Sequence, residues 1–159
     1  MGFAFEEFAV GTAIDLGTTT VDEGEMLAFA RRFDPQPFHT DPAAATDSML
    51  GGLCASGWFT CALWMRAYFG AVLAGSTSQS SPGGSEIAWP APVFPGETLR
   101  SSVQVLEVRR SSSRPTLGLV TIQGRSAVCE PAARAGTEVL RFTFVGMFGL
   151  RQPAEVPAP

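Results

Sequence analysis

Apolar residues follow two rhythms along this chain. Between residues 22 and 74 they recur at helical spacing, and beyond residue 98 they alternate with polar ones. Met26, Leu27, Phe29, Ala30 and Phe33 form one apolar helix face. Thr20 or Asp22 fits the cap, and Glu23 and Glu25 suit the positive first turn. Pro35 and Pro37 must end this helix near Phe33. Asp34 to Asp41 then reads as a stiff loop, and DPAAA restarts a short helix with Asp41 as cap and Pro at its first position. Residues 49–57, MLGGLCASG, are small and flexible. Ser56 caps the run WFTCALWMRAYFGAVL, which is apolar nearly all round and so reads as a buried helix without a wet face.

The strands are read from alternation. Ile14 to Val21 is Thr-rich and predicts a first strand. Thr98–Val108, Leu117–Val128 and Glu138–Phe148 predict three long ones. EIAW at 86–89 fits a short strand. GSTSQSSPGGS, from Gly75 to Ser85, reads as a surface connection, with a mobile loop beside a binding site as the alternative. PAPVFPGE and RRSSSRP are turns. A single domain is expected over 1–150, followed by a Pro-rich, disordered tail at 151–159. Helices followed by consecutive strands predict an α+β architecture, an antiparallel sheet wrapped around the long central apolar helix.

Composition narrows the function. With 159 residues, 45% hydrophobic and 16% charged, the chain has the means to bury a core. Its net charge of −4 comes without any basic block, so nucleic acid is not an expected partner. Cys54, Cys61 and Cys129 fit neither a zinc pattern nor a disulfide framework, and read as reduced thiols of a cytoplasmic protein. MGFAFEEF lacks the features of a signal peptide. Trp58 to Ala74 is short and carries Arg66, which favours a core helix over a membrane span.

Two segments carry candidate chemistry. In DPQPFH, prolines flank Gln36 and stiffen the loop that bears Asp34 and the only histidine, His39. A stiff loop holds two titratable groups at a set separation, as acid–base work on a water requires. The alternative is a helix-ending loop in which Asp34 caps and His39 is half-exposed. In GGLCASGWF, Gly57 opens a helix whose first N–H groups can face a ligand carbonyl, as in an oxyanion hole. Plain close packing of a helix end is the alternative. Ser56 and Cys54 lie nearby, but a single histidine already engaged with Asp34 and water makes them weak nucleophiles. Trp58, Trp64 and Trp89 read as core, or as walls of an acyl or aromatic pocket. Arg109, Arg110 and Arg114 read as a solvated turn rather than a phosphate site.

These segments resemble the MaoC-like acyl dehydratases, or (R)-specific enoyl-CoA hydratases, of the hotdog fold. DPQPFH at 34–39 is similar to the family's D-x-N-P-x-H, with Gln for Asn, and T-D-P with an alanine pair continues the pattern. GGLCASGWF is similar to the segment leading into the family's central helix. PVFPGETL at 92–99 is similar to P-V-x-x-G-D-x-L, with Glu97 for Asp. The resemblance spans about residues 5–150. It implies that Asp34 and His39 activate the water and that the Gly57 N–H polarises the thioester carbonyl. Gln36, Phe38, Ser56 and Trp58 are the expected substrate contacts. No metal and no cofactor is implied, coenzyme A being part of the acyl-CoA substrate of fatty-acid metabolism. A homodimer or larger homo-oligomer is implied, with no membrane partner. The chain departs from the family at Phe38, at Arg32-Phe33, at Ser56 where His is frequent, and at Met65 where some hydratases carry Ser. The activity implied is hydration of trans-2-enoyl-CoA to (R)-3-hydroxyacyl-CoA. A hotdog acyl-CoA thioesterase, or a non-catalytic acyl-CoA-binding subunit, is the alternative.

Overall fold

A computed structural model describes residues 2–151. Five antiparallel strands form one sheet: β1 (Ala13–Thr20), β2 (Ser78–Ala88), β3 (Thr98–Arg110), β4 (Leu117–Glu130) and β5 (Glu138–Gly149). Their spatial order is β1-β3-β4-β5-β2. Four helices lie between β1 and β2: α1 (Glu23–Phe33), α2 (Pro37–Thr40), α3 (Pro42–Thr46) and α4 (Gly57–Tyr68), the last running on into a π-type turn at Phe69–Leu73. The α+β architecture read from the sequence is the one observed.

Alternation explains the central strands. Leu99, Ser101, Val103 and Val105 of β3 are buried, as are Val120, Ile122, Gly124, Ser126 and Val128 of β4, while the residues between them face outward or sit half-buried. Ser101 and Ser126 are opposite one another, and their hydroxyls bond at 2.8 Å, so neither is left unsatisfied in the core. α4 crosses this face. Trp64 stacks on Tyr68, and its ring lies so close to β4 that a Cβ on Gly124 would stand 2.7 Å from it. Trp64, Tyr68, Val103, Val120 and Ile122 belong to one half of the core. Met26, Ala55, Phe59, Leu63, Val93, Val128 and Val139 belong to the other, which underlies the site described below.

α1 begins and ends where its sequence dictates. Asp22 caps it by accepting from the Glu25 N–H at 2.8 Å, and Asp34 is its C-terminal cap. Three expectations are corrected. The stretch from Asp34 to Asp41 is not loop throughout, because Pro37 opens the helical turn α2 with Gln36 as its N-cap. The strand expected only at 86–89 is β2, which takes up most of the supposed connection at 75–85. Nearly every β2 side chain is exposed, so no apolar alternation marks it. It is an edge strand paired to β5 through several register shifts, and such an edge tolerates Pro82. Finally, α4 is not covered all round: Trp58, Met65 and Phe69 stand exposed at 57%, 45% and 58%. Arg151 bonds to the Glu6 carboxylate and the Gly2 carbonyl; the rest of the expected tail lies outside the described residues.

Candidate active site

The site forms where α1 stops, α2 turns and α4 starts. The two prolines leave the chain little freedom between Asp34 and His39. The His39 N–H donates to the Gln36 carbonyl at 2.9 Å, and the Gln36 N–H to the Asp34 carbonyl at 2.8 Å. This folds the segment back so that both functional side chains face the start of α4. His39 Nε2 then stands 3.5 Å from Asp34 Oδ2.

His39 is buried, with 7% of its surface exposed, against the half-exposed alternative. Its Nδ1 lies 2.8 Å from the Cys54 carbonyl oxygen. A carbonyl only accepts, so Nδ1 carries a hydrogen, and Nε2 is the ring nitrogen that faces Asp34. Phe38 meets the imidazole edge-on with ring centroids 4.5 Å apart and restricts its tilt. The Cys54 thiol, 3.7 Å from Nδ1, is pushed up in pKa by burial and stays protonated.

Asp34 receives a donor on each oxygen. The Ser56 hydroxyl donates to Oδ2 at 2.7 Å, and the Gln36 amide donates to Oδ1 at 2.8 Å. The Ser56 bond first, then Gln36 and the nearby imidazole, hold the carboxyl below its usual range, against the opposing effect of burial. Ser56 is fully buried and has a second task. It is the N-cap of α4 and accepts from the Trp58 N–H at 3.3 Å. Gln36 and Ser56, expected as substrate contacts, both bond to the carboxylate, and Gln36 also lines the cavity.

Gly57 is the first residue of α4, so its N–H precedes the helical ladder. Its Cα lies under Trp89, whose ring a Cβ would approach at 2.6 Å. Only glycine leaves this backbone and the indole in contact. Trp89 also meets Trp58 edge-on at 5.2 Å. These groups surround a cavity of about 400 Å³. Asp34, Gln36, Phe38, His39, Gly57 and Trp58 line it, with Leu50, Cys54, Ala55, Thr60, Trp89, Val139 and the stretch Pro90–Val93 completing the walls. Ser56 reaches the cavity only through Asp34. Of the three tryptophans, Trp64 is core while Trp58 and Trp89 are walls. The wall at 90–93 was missed in the sequence, although the Pro-rich turn after Trp89 marks its place. Met65 and the arginines of the β3–β4 hairpin are not among the lining residues, and Arg109 pairs with Glu107. Among the described residues, no group of three His, Cys, Asp or Glu side chains is placed to hold a metal ion.

The cavity therefore combines a carboxylate, a facing imidazole and the first N–H of a helix. Comparison with known proteins identifies the family. A model described as the MaoC like domain matches residues 7–124. The chain belongs to the MaoC-like domain family. It is 38% identical to the MaoC-like dehydratase of Rhodospirillum rubrum, covering 95% of this chain and 99% of that one, with a TM-score of 0.83. An unliganded (R)-hydratase of Pseudomonas aeruginosa superimposes with a TM-score of 0.70 at 21% identity, over 99% of this chain and 96% of the other. A Mycobacterium tuberculosis protein described as a double hotdog fold gives 0.77 at 17% identity; the MaoC-like chain covers 47% of its length. The fold is the hotdog fold. Among the described residues, no helix is long and apolar enough to cross a membrane.

Proposed function

We propose that this MaoC-like protein is a hydro-lyase that adds water reversibly to a trans-2-enoyl-CoA and forms the (R)-3-hydroxyacyl-CoA. The carrying observation is the approach of His39 Nε2 to Asp34 Oδ2, 3.5 Å apart at the cavity wall. In the proposed reaction the ring starts neutral, so Nε2 and Oδ2 both accept. A water in that position donates one hydrogen to each, which leaves its oxygen lone pairs aimed at the cavity. As the water oxygen bonds to C3 of the enoyl group, one of its protons passes to the acceptor pair. A proton returns from the pair to C2 on the same face. The net change is one water added across the double bond. Negative charge develops meanwhile on the thioester oxygen, and the Gly57 N–H at the positive end of α4 stabilises it. Coenzyme A enters only as part of the substrate, and the site's own groups supply the acid–base chemistry.

The active unit on this reading is a homodimer. Trp58, Met65 and Phe69 make an open apolar stripe on α4, and Ile87 and Trp89, at the end of β2, are 43% and 39% exposed. These exposed apolar side chains are the contact face between copies on this reading. Because Trp58 and Trp89 also wall the cavity, a second copy seated there closes the acyl path from water.

Absorbance and thiol release, followed together on short and medium trans-2-enoyl-CoA substrates, test the reaction. The hydratase loses the conjugated enoyl absorbance and frees no coenzyme A. Thiol release from saturated acyl-CoA would replace this reading with a thioesterase.

A further inference from the structure

The cavity wall formed by Pro90, Ala91, Pro92 and Val93 is held in an unusual way. Pro90, Pro92 and Pro95 have no N–H, so this stretch cannot be secured by donating along a strand ladder. Its carbonyls are tied instead. The Val93 oxygen accepts from the Ala55 N–H at 2.8 Å, one residue before Ser56 and two before Gly57. The Pro92 oxygen accepts from Arg134 Nη2 at 2.9 Å. Arg134 comes from the turn between β4 and β5, about forty residues on in the sequence. Its Nη1 donates to Glu97 Oε1 at 2.5 Å, and its guanidinium lies 4.9 Å from the centre of the Phe94 ring. Glu97 is buried and spends its other oxygen on the Phe94 N–H at 2.9 Å.

We infer that Arg134 is a positioning residue of this site: its guanidinium fork, braced by Glu97 and Phe94, sets the Pro90–Val93 wall against Ala55 and thereby the width of the acyl cavity. The fork geometry is what the task needs. Two parallel donors reach a carboxylate and a carbonyl at once, with the flat face on an aromatic ring, and an ammonium cannot do all three. The inference deepens the hydratase reading and rests on it for its kinetic arm.

The test is Arg134→Lys in the full chain, with Glu97→Gln as a second variant that keeps the acceptor for the Phe94 N–H. Val105→Ala, in the other half of the core, serves as a control that lowers stability without touching the clamp. Arg134→Lys is expected to raise KM for trans-2-butenoyl-CoA about fivefold with kcat within about twofold, because the wall loosens while the reacting groups stay in place. Amide exchange at Ala55 should quicken about tenfold relative to the control at matched stability. Glu97→Gln should shift both readouts the same way by less. Unchanged KM and unchanged Ala55 exchange in folded Arg134→Lys would overturn the inference. So would a fall in kcat and thermal midpoint at constant KM, the pattern of a purely structural staple. If the native protein hydrates no enoyl-CoA, the hydratase reading fails, and the Ala55 exchange still decides whether the clamp holds the wall.

Discussion

Asp34 is held by two donors, and each does something different to the carboxylate. Gln36 comes from the same stiff loop and fixes the plane of the group. Ser56 comes from the helix that faces it and brings the positive end of that helix to Oδ2 through one hydroxyl. Removing a donor from an anion disfavours the charged form. Ser56→Ala should therefore raise the Asp34 pKa, read directly from the carboxyl carbon resonance through an acid titration. Ser56→Thr, which keeps the hydroxyl, should leave it low. An unmoved resonance in Ser56→Ala would show that the hydroxyl serves only the helix cap. The sign for stability follows. Asp34 titrates lower folded than unfolded, so its contribution is present above the ordinary carboxylate range and is lost as pH falls through the native value. The pairing of Asp34 with His39 was legible in the sequence because the two are five residues apart on one segment. The bond from Ser56 to Asp34 was not, since 22 residues separate them and only the fold brings them together. Tyr68 gives a second test at this scale. Its hydroxyl is buried without a hydrogen-bond partner, and burial pushes its pKa up. Tyr68→Phe removes an unsatisfied group and nothing else, so denaturant melts should place it within about 1 kcal/mol of the native protein or above it.

α4 was read correctly as the central element and wrongly as a helix with no open face. Its composition is apolar on every side, and periodicity alone cannot say which side another chain covers. Most of β2 was missed for the reverse reason: an edge strand of Ser, Gly and Pro carries no alternation, and its existence depends on the ladder offered by β5. The start of α4 is the element on which geometry presses hardest. Gly57→Ala suits a first helical turn, yet its methyl would collide with Trp89. The variant is expected to lose ~1–3 kcal/mol of stability. It should also displace the indole, visible as a change in tryptophan emission, and lose turnover. Native emission and native rate would mean that the contact with Trp89 does not define the site.

On the scale of the whole molecule, the sheet supplies a floor and the helical half carries the candidate site. The cavity sits at their junction, with one side bounded by exposed tryptophans. The proposed pairing of two copies would act on that open side. Met65→Glu together with Phe69→Glu places charge in the apolar stripe without touching a lining residue. Sedimentation should show a dimer for the native protein and a monomer for the variant, with weakened activity. A native monomer with full activity would remove the second copy from the account. The most direct test of the whole is the fate of the acceptor pair itself. Turnover of trans-2-butenoyl-CoA should be measured for the native protein, Asp34→Asn and His39→Ala, with folding checked by thermal melting. Each substitution is expected to slow hydration by about 10²- to 10⁴-fold while the fold persists. Native rates in either variant would contradict a water activated between Asp34 and His39.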